Sequence, residues 1–361
     1  MTRSGRAVVG VILSLAVWAA KSATCQPASC SYRLCHAGSV LLAVLATSSA
    51  MAAESPTLTL QTKIPLGDVR GRIDHLAIDH ARQRLFVAEF GNNSLGVVDL
   101  NDQKTFHRIA GLNEPQGVAY VPAVDCIFVS NAGDGSLRVF SGSDFSPVAR
   151  VELKADADNL RVDPIKNLVF AGFGSGGLAI IDAKSHKKVG EIDLKGHPEG
   201  FELEPSGERA FVNVPDARGI AVLDRTSSRQ IATWTVPQAT WNFPMAIRQR
   251  GTELLIGFRR PARLAIVDTR GGNLRAITPS CGDPDDISVD EKRSRAYVSC
   301  GQGFIDVFQL GNASPSRIDH IPTVAGARTA LYDPELDRFF LAVKATSGTS
   351  AAIWLYKPQG P

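Results

Sequence analysis

The stretch IDHLAID (residues 73–79) decides the fold, because variants of it return as PQGVAYV (115–121), ADNLRVD (157–163), PEGFELE (198–204), NFPMAIR (242–248), PDDISVD (284–290) and ARTALYD (327–333). The second residue of each copy serves as a marker: Asp74, Gln116, Asp158, Glu199, Phe243, Asp285 and Arg328, at spacings of 42, 42, 41, 44, 42 and 43 residues. A period of about 40–45 residues carrying several short strands is the pattern of a β-propeller, each period being one blade. Two and four places after the marker the side chains are apolar, as in Leu76 and Ile78 or Phe201 and Leu203. That is the period of a strand, and no helical period competes with it.

Twelve places after the marker stand Phe86, Phe128, Phe170, Phe211, Leu255, Tyr297 and Phe340. One twisted sheet cannot hide both its faces, so radial stacking of the repeats is what buries this column. Five and ten places after the marker lie Asp79 and Arg84, Glu204 and Arg209, Asp290 and Arg295, Asp333 and Arg338, with the signs exchanged in Arg248 and Glu253. These residues are expected to pair across the hairpin between the first and second strands (A and B) of a blade, contributing about 0.2–1 kcal/mol each. The third strands end in an aliphatic run and an Asp: Val97-Val98-Asp99, Ile180-Ile181-Asp182, Val222-Leu223-Asp224 and Ile266-Val267-Asp268. The seventh repeat holds three strands, near 328–333, 339–343 and 352–356, and Thr57 to Ile64 alternates so as to supply the fourth. The expected fold is therefore all-β: a seven-bladed propeller of four antiparallel strands per blade, with an N-terminal strand completing the last blade and removing an exposed edge.

Blades that read strand, Asp-x4-Arg/Leu, hydrophobic-Phe-Val, Gly/Asn turn, aliphatic run ending in Asp, then strand resemble the YVTN-type repeat. Residues 57–357 resemble the YncE-like periplasmic seven-bladed propellers. The resemblance implies a fold and a periplasmic location, and it specifies no activity.

The chain has 361 residues, 39 Lys+Arg against 36 Asp+Glu, 44% hydrophobic and 21% charged. This balance excludes a collagen, a disordered charged tail and a polytopic membrane protein. All four basic groups of the first 52 residues (Arg3, Arg6, Lys21, Arg33) lack an acidic counterpart there, so removing that segment turns a net charge of +3 into −1. A polyanion-binding surface is poorly supported, and there is no strong nucleic-acid signal. Residues 38–49 form a short apolar run, and Ala50-Met51-Ala52 offers the small residues a signal peptidase reads, so residues 1–52 are read as an export leader and 53–361 as the propeller. A second apolar run, Ala7 to Ala20, leaves open a two-part leader, an upstream mis-start or an uncleaved anchor. The expected location is periplasmic or secreted, with membrane contact only if the leader stays.

The run Gly172-Phe173-Gly174-Ser175-Gly176-Gly177 superficially resembles a nucleotide loop, but a strand rather than a helix follows it, so it reads as a hairpin turn. Cys281 lies four places before the sixth marker and Cys300 fifteen after it, at the same end of neighbouring strands. They are a disulfide candidate in an oxidising compartment, with two free thiols as the alternative. Cys126 falls opposite Val121 and reads as a packed thiol.

The marker column sits where strand A meets the central channel, and with its neighbours it gives the candidate ligand site: Asp74, His75, Gln116, Asp158, Asn159, His197, Glu199, Trp241, Asp285 and Arg328. Arg259 and Arg260, beside Phe258 and Trp241, form the candidate partner face, Arg and aromatics being the usual hot-spot residues. Phe258 is alternatively expected to pack across the hairpin on Phe243. Two functions follow. One is a non-catalytic binding or protein-interaction scaffold using the channel face, its partner a periplasmic protein or a small polar ligand, with no catalytic residues and no cofactor. The other is a lactonase-like or metal-assisted hydrolase, in which Asp74, Asp158, Glu199 and Asp285 with His75 or His197 would hold a divalent cation.

Overall fold

A computed structural model describes residues 56–205, 207–311 and 314–360. The expected leader over residues 1–52 lies outside the described residues; the compact unit that contains them runs from Ala53 to Pro361. Among the described residues the chain forms seven four-stranded antiparallel sheets and four single-turn 3-10 helices.

Blade 1 consists of strands A (Leu76–Asp79), B (Arg84–Glu89), C (Ser94–Asp99) and D (Lys104–Ala110). Blades 2 to 6 repeat that order. In blade 7, strands A (Ala330–Asp333), B (Arg338–Val343) and C (Ala352–Pro358) are joined by Leu58–Pro65, which pairs antiparallel with strand C from Leu58 opposite Pro358 to Pro65 opposite Ala352. Every strand A packs on the strand A of the next blade, that of blade 7 on that of blade 1, so the marker ends of these strands surround the axis.

The apolar slot behaves as its period demands. Phe86, Phe128, Phe170, Phe211, Leu255, Tyr297 and Phe340 are each 1% exposed or less. Each faces the following blade: Phe86 packs with Val118, Ile127 and Val129 of blade 2, and Phe340 with Leu85 and Val87 of blade 1. The core is thus seven apolar layers between blades, and truncating one such Phe costs about 3–5 kcal/mol. Near the axis the inner strands approach too closely for side chains. A Cβ on Gly200 would lie 2.6 Å from the Phe243 carbonyl oxygen, and one on Gly117 would meet the Asp158 carbonyl and Ser130.

The charges at the A–B hairpin stand opposite each other as the spacing predicts, Asp79 against Arg84 and Asp290 against Arg295, yet most do not pair. Among the described residues only Glu204 with Arg209 and Arg248 with Glu253 form ion pairs across the hairpin. The physical reason is local. Asp79, Asp290 and Asp333 turn their carboxylates onto backbone N–H groups three residues ahead, at 3.1, 3.0 and 2.8 Å, and so close the turn. Their ionic partners come from elsewhere. Arg82 joins Asp79 (2.9 Å) to Asp125 (2.7 Å) and the Tyr120 hydroxyl (3.0 Å) of blade 2. Arg293 joins Asp290 (2.9 Å) to Asp337 of blade 7 (2.7 and 2.8 Å) in the same way. Asp333 takes His80 of blade 1 at 2.7 Å. These bidentate clasps stitch neighbouring blades together.

Cys281 and Cys300 are disulfide-bonded, with Cα atoms 5.9 Å apart. Cys126 is opposite Val121, buried between blades 2 and 3, with its sulfur 3.8 Å from His186 Nε2. The glycine run of blade 3 is a hairpin, Phe173 pairing with Gly177.

Candidate functional site

The loops leading into strand A set the rim. Two residues before the marker, Glu114, Asp156, Trp241 and Asp283 have φ of 52°, 33°, 64° and 59°, a left-handed backbone unfavourable for residues other than glycine. The carbonyls of Arg72, Glu114, Asp156 and Asp283 accept the N–H of Gly91, Ala132, Gly174 and Gly301 at 2.9, 2.9, 3.0 and 2.7 Å. Each bond ties the rim to the B–C turn of its own blade, which holds the unfavourable backbone in place.

The mouth inside this rim is a hollow of about 300 Å³ lined by Arg72, Phe90, Glu114, Gln116, Ala132, Asp156, Asp158, His197, Glu199, Phe243, Arg259, Asp285 and Arg328. Below it lies a void of about 30 Å³ that shares Arg72, Asp158, Glu199, Phe243 and Asp285 and adds Asp74, His75, Asn159, Arg161, Asp286 and the Pro244-Met245 wall.

Two halves of this channel differ in how their charges are used. On the side of blades 5 to 7, Arg328 contacts Asp283 and Asp285 at 2.9 Å each, and Arg259 contacts Asp283 at 2.9 Å and also Asp285. The Arg259 guanidinium lies 3.5 Å from the centre of the Phe243 ring. In blade 1, Arg72 pairs with Asp74, which is 1% exposed, and donates to Gln116 Oε1 at 2.6 Å. On the side of blades 3 and 4, by contrast, Asp158 has only His197 Nε2 at 3.5 Å, and the Glu199 carboxylate has no ion pair or hydrogen bond among the described residues.

Proton affinities follow from that arrangement. Burial and the neighbouring Asp158 charge push Glu199 up to about 8, and burial pushes Asp286 up to about 7 although His75 and the Ala330 N–H (2.8 Å) resist. Burial also raises Asp74. Burial works against the charge on His197, but Asp158, the Gly174 carbonyl at 2.6 Å and Glu199 outweigh it and bring the imidazole up to about 9. His75 is raised in the same way, burial being overcome by Asp74 and Asp286 at 3.6 and 3.8 Å.

Of the residues expected at the site, Asp74, His75, Gln116, Asp158, Asn159, His197, Glu199, Asp285 and Arg328 all line the mouth or the void. Trp241 does not: it stands on the outer rim, 42% exposed, with the Arg260 guanidinium 3.8 Å from its ring centre. Arg259 moves the other way. Its side chain is 15% exposed and bound to Asp283 and Asp285, so it belongs to the channel wall and not to an open partner face. Phe258 is buried and faces Asn242, not Phe243, because the register shifts between Asn242 and Met245. Arg161, three places after the third marker, completes the void and pairs with Glu202 at 3.2 Å; nothing in its place in the repeat marks it.

Among the described residues no group of three or more His, Cys, Asp or Glu side chains takes an arrangement that could hold a metal ion. The chemistry of the donors agrees, since Asp74 and Asp285 are already held by arginines. A second hollow of about 440 Å³, between the A–B turns of blades 3 and 4, is lined largely by apolar groups such as Val162, Ile165, Leu203 and Ile247. Its charged members are all paired, Asp163 with Arg225 at 2.7 Å, Lys166 with Glu208 at 2.6 Å, Glu202 with Arg161 and Glu204 with Arg209, so it offers shape with little free polar recognition.

Fold and channel together define a seven-bladed β-propeller with a polar, charge-divided hub. No protein-family model and no curated protein matches the sequence. Among solved structures the chain is similar to hydrazine synthase of Kuenenia stuttgartiensis, at 16% identity and a TM-score of 0.69 over 80% of this chain and 96% of that one. It is also similar to a chain of the mitotic checkpoint complex, at 11% identity and a TM-score of 0.73 over 90% and 99% of the two chains. Likeness at such identities shows the fold alone.

Proposed function

We propose that the chain is an exported, non-catalytic propeller of the YncE-like kind that recognises a polar ligand or protein partner at its channel mouth. The observation that carries this reading is the mouth itself, where arginines, carboxylates, amides and His197 from successive blades converge on one hollow ringed by the exposed Trp241–Arg260 stack. The bonded Cys281–Cys300 pair supports an oxidising compartment. A propeller of this shape also occurs within the mitotic checkpoint complex, which supports a scaffold role. The arginine partners of Asp74 and Asp285 favour recognition over the hydrolase reading, in which those carboxylates would have to be available to a cation.

The test is chemical cross-linking in periplasmic extract with the wild-type chain, Trp241→Ala/Arg260→Ala, and Ile165→Glu on the opposite face. Recognition at the mouth requires that the rim variant loses a cross-linked species that Ile165→Glu retains. Loss with Ile165→Glu alone would move the contact to the other face and overturn the proposal.

A further inference from the structure

The side of the channel formed by blades 3 and 4 carries an unbalanced set of hydrogen-bond acceptors. Asp158 is 7% exposed, and among the described residues its carboxylate has only His197 at 3.5 Å; the Glu199 carboxylate has no partner. Asn159, 5% exposed, lines the void with its side-chain amide free of hydrogen bonds among the described residues. Their polar atoms open onto the void and are not sealed from it, so a donor entering there can reach them, and a carboxylate largely withdrawn from water gains most from a charged partner. The arginines nearby are committed elsewhere, Arg72 to Asp74, Arg161 to Glu202, and Arg259 and Arg328 to Asp283 and Asp285, while His197 faces Asp158 at 3.5 Å with one ring nitrogen, spends the other on the Gly174 carbonyl, and makes no hydrogen bond to Glu199. What is missing is a compact cation with several N–H donors.

We propose that the void is the seat of a primary ammonium group, so that the ligand of the channel is a small primary amine whose body occupies the mouth above Asp158, Asn159 and Glu199. This inference rests on the channel mouth being the recognition face and adds the class of ligand. Size selects the head group. The void of about 30 Å³ has room for roughly one or two water-sized groups, which admits –NH3+ and refuses a trimethylammonium or a guanidinium. Three ammonium donors match the acceptors Asp158, Glu199 and the Asn159 carbonyl oxygen, while Phe243, Pro244 and Met245 give the adjoining methylenes an apolar wall. The mouth then continues past Asp156 and Glu114, so a second amine at the far end of a short chain also meets carboxylates. The elevated proton affinity of Glu199 is what a carboxylate shows when that cation is absent.

Calorimetric titration of the full chain with 1,4-diaminobutane tests this, with butane-1,4-diol, succinate and tetramethylammonium as probes of the same mouth. The diamine is expected to bind and the other three to bind at least about 10-fold more weakly. Asp158→Asn and Glu199→Gln should each weaken the diamine by about 10- to 100-fold, the loss of one charge-assisted hydrogen bond. Asn159→Ala, which leaves the charges in place and serves should a carboxylate variant fail to fold, should weaken it by several fold. If succinate or the diol binds instead and loses affinity on Asp158→Asn, the amine assignment falls while recognition at the mouth stands. Diamine binding that all three substitutions leave unchanged, or no diamine binding, overturns the inference.

Discussion

Replacing Glu199 with Gln should make the protein more stable near neutral pH, by an amount that grows with pH. An unfolded Glu ionises near 4.5, whereas folded Glu199 keeps its proton up to about 8 because it is buried beside Asp158 and close to Asp285, with His197 and Arg259 offsetting only part of that. Between those values the folded chain binds more protons than the unfolded one, so this contribution is fully present below pH 4.5 and is lost as pH rises through 8. The loss runs at about 1.4 kcal/mol per pH unit, or about 3 kcal/mol between pH 4.5 and 7. Gln ionises in neither state. Relative to its value at pH 4.5, the variant should therefore gain about 3 kcal/mol on the wild type by pH 7, which at about 2 °C per kcal/mol for a large domain is roughly 6 °C in Tm. Thermal unfolding of both proteins followed by circular dichroism, from pH 4.5 to 8.5 at constant ionic strength, isolates this difference. Two Tm curves that stay parallel across that range would refute the placement of an unpartnered, half-buried carboxylate beside Asp158 at Glu199.

The wild type itself should lose stability as pH rises from about 4 to 9, because Asp286 (to about 7) and His197 (to about 9) are raised in the same sense; a Tm maximum above pH 8 contradicts this. Arg293→Ala strands Asp290, which is fully buried, and should cost about 3–5 kcal/mol in a denaturant titration, against under about 1 kcal/mol for the exposed pair member Lys104→Ala. Phe128→Ala should cost a similar 3–5 kcal/mol through the void left between blades 2 and 3, and a loss below 1 kcal/mol would place that ring outside the interblade core. Cys281→Ser/Cys300→Ser opens a crosslink between residues 19 apart and should lower stability by about 3 kcal/mol; reducing agent should lower the Tm of the wild type and leave the variant unchanged.

The blades were legible in the sequence because their cause is periodic: alternation along each strand, one bulky apolar side chain per repeat, and, in four blades, an aspartate closing the turn after the third strand, as Asp99, Asp182, Asp224 and Asp268 do by accepting backbone N–H bonds. The marker column was legible for the same reason: Asp74, Gln116, Asp158, Glu199, Asp285 and Arg328 line the channel, with His75, Asn159 and His197 beside them. What sequence could not convey was the choice of partner among equals. Asp79 has Arg84 opposite and Arg82 three residues ahead, and the turn geometry selects Arg82. A faint signal existed: Arg eight places after one marker, with Tyr and Asp four and nine places after the next, occurs at both Arg82 and Arg293. Phe258 faces Asn242 and not Phe243 because the register shifts between Asn242 and Met245, and no residue type announces such a shift in advance.

The pairing of Leu58–Pro65 with Ala352–Pro358 has a consequence for how the molecule comes into being. The propeller's first strand finds its neighbour only after some three hundred further residues have left the ribosome, so the seventh sheet is the last able to assemble. Until then the strand must survive alone, and its exposed Thr59, Gln61 and Lys63 keep it compatible with water during the wait.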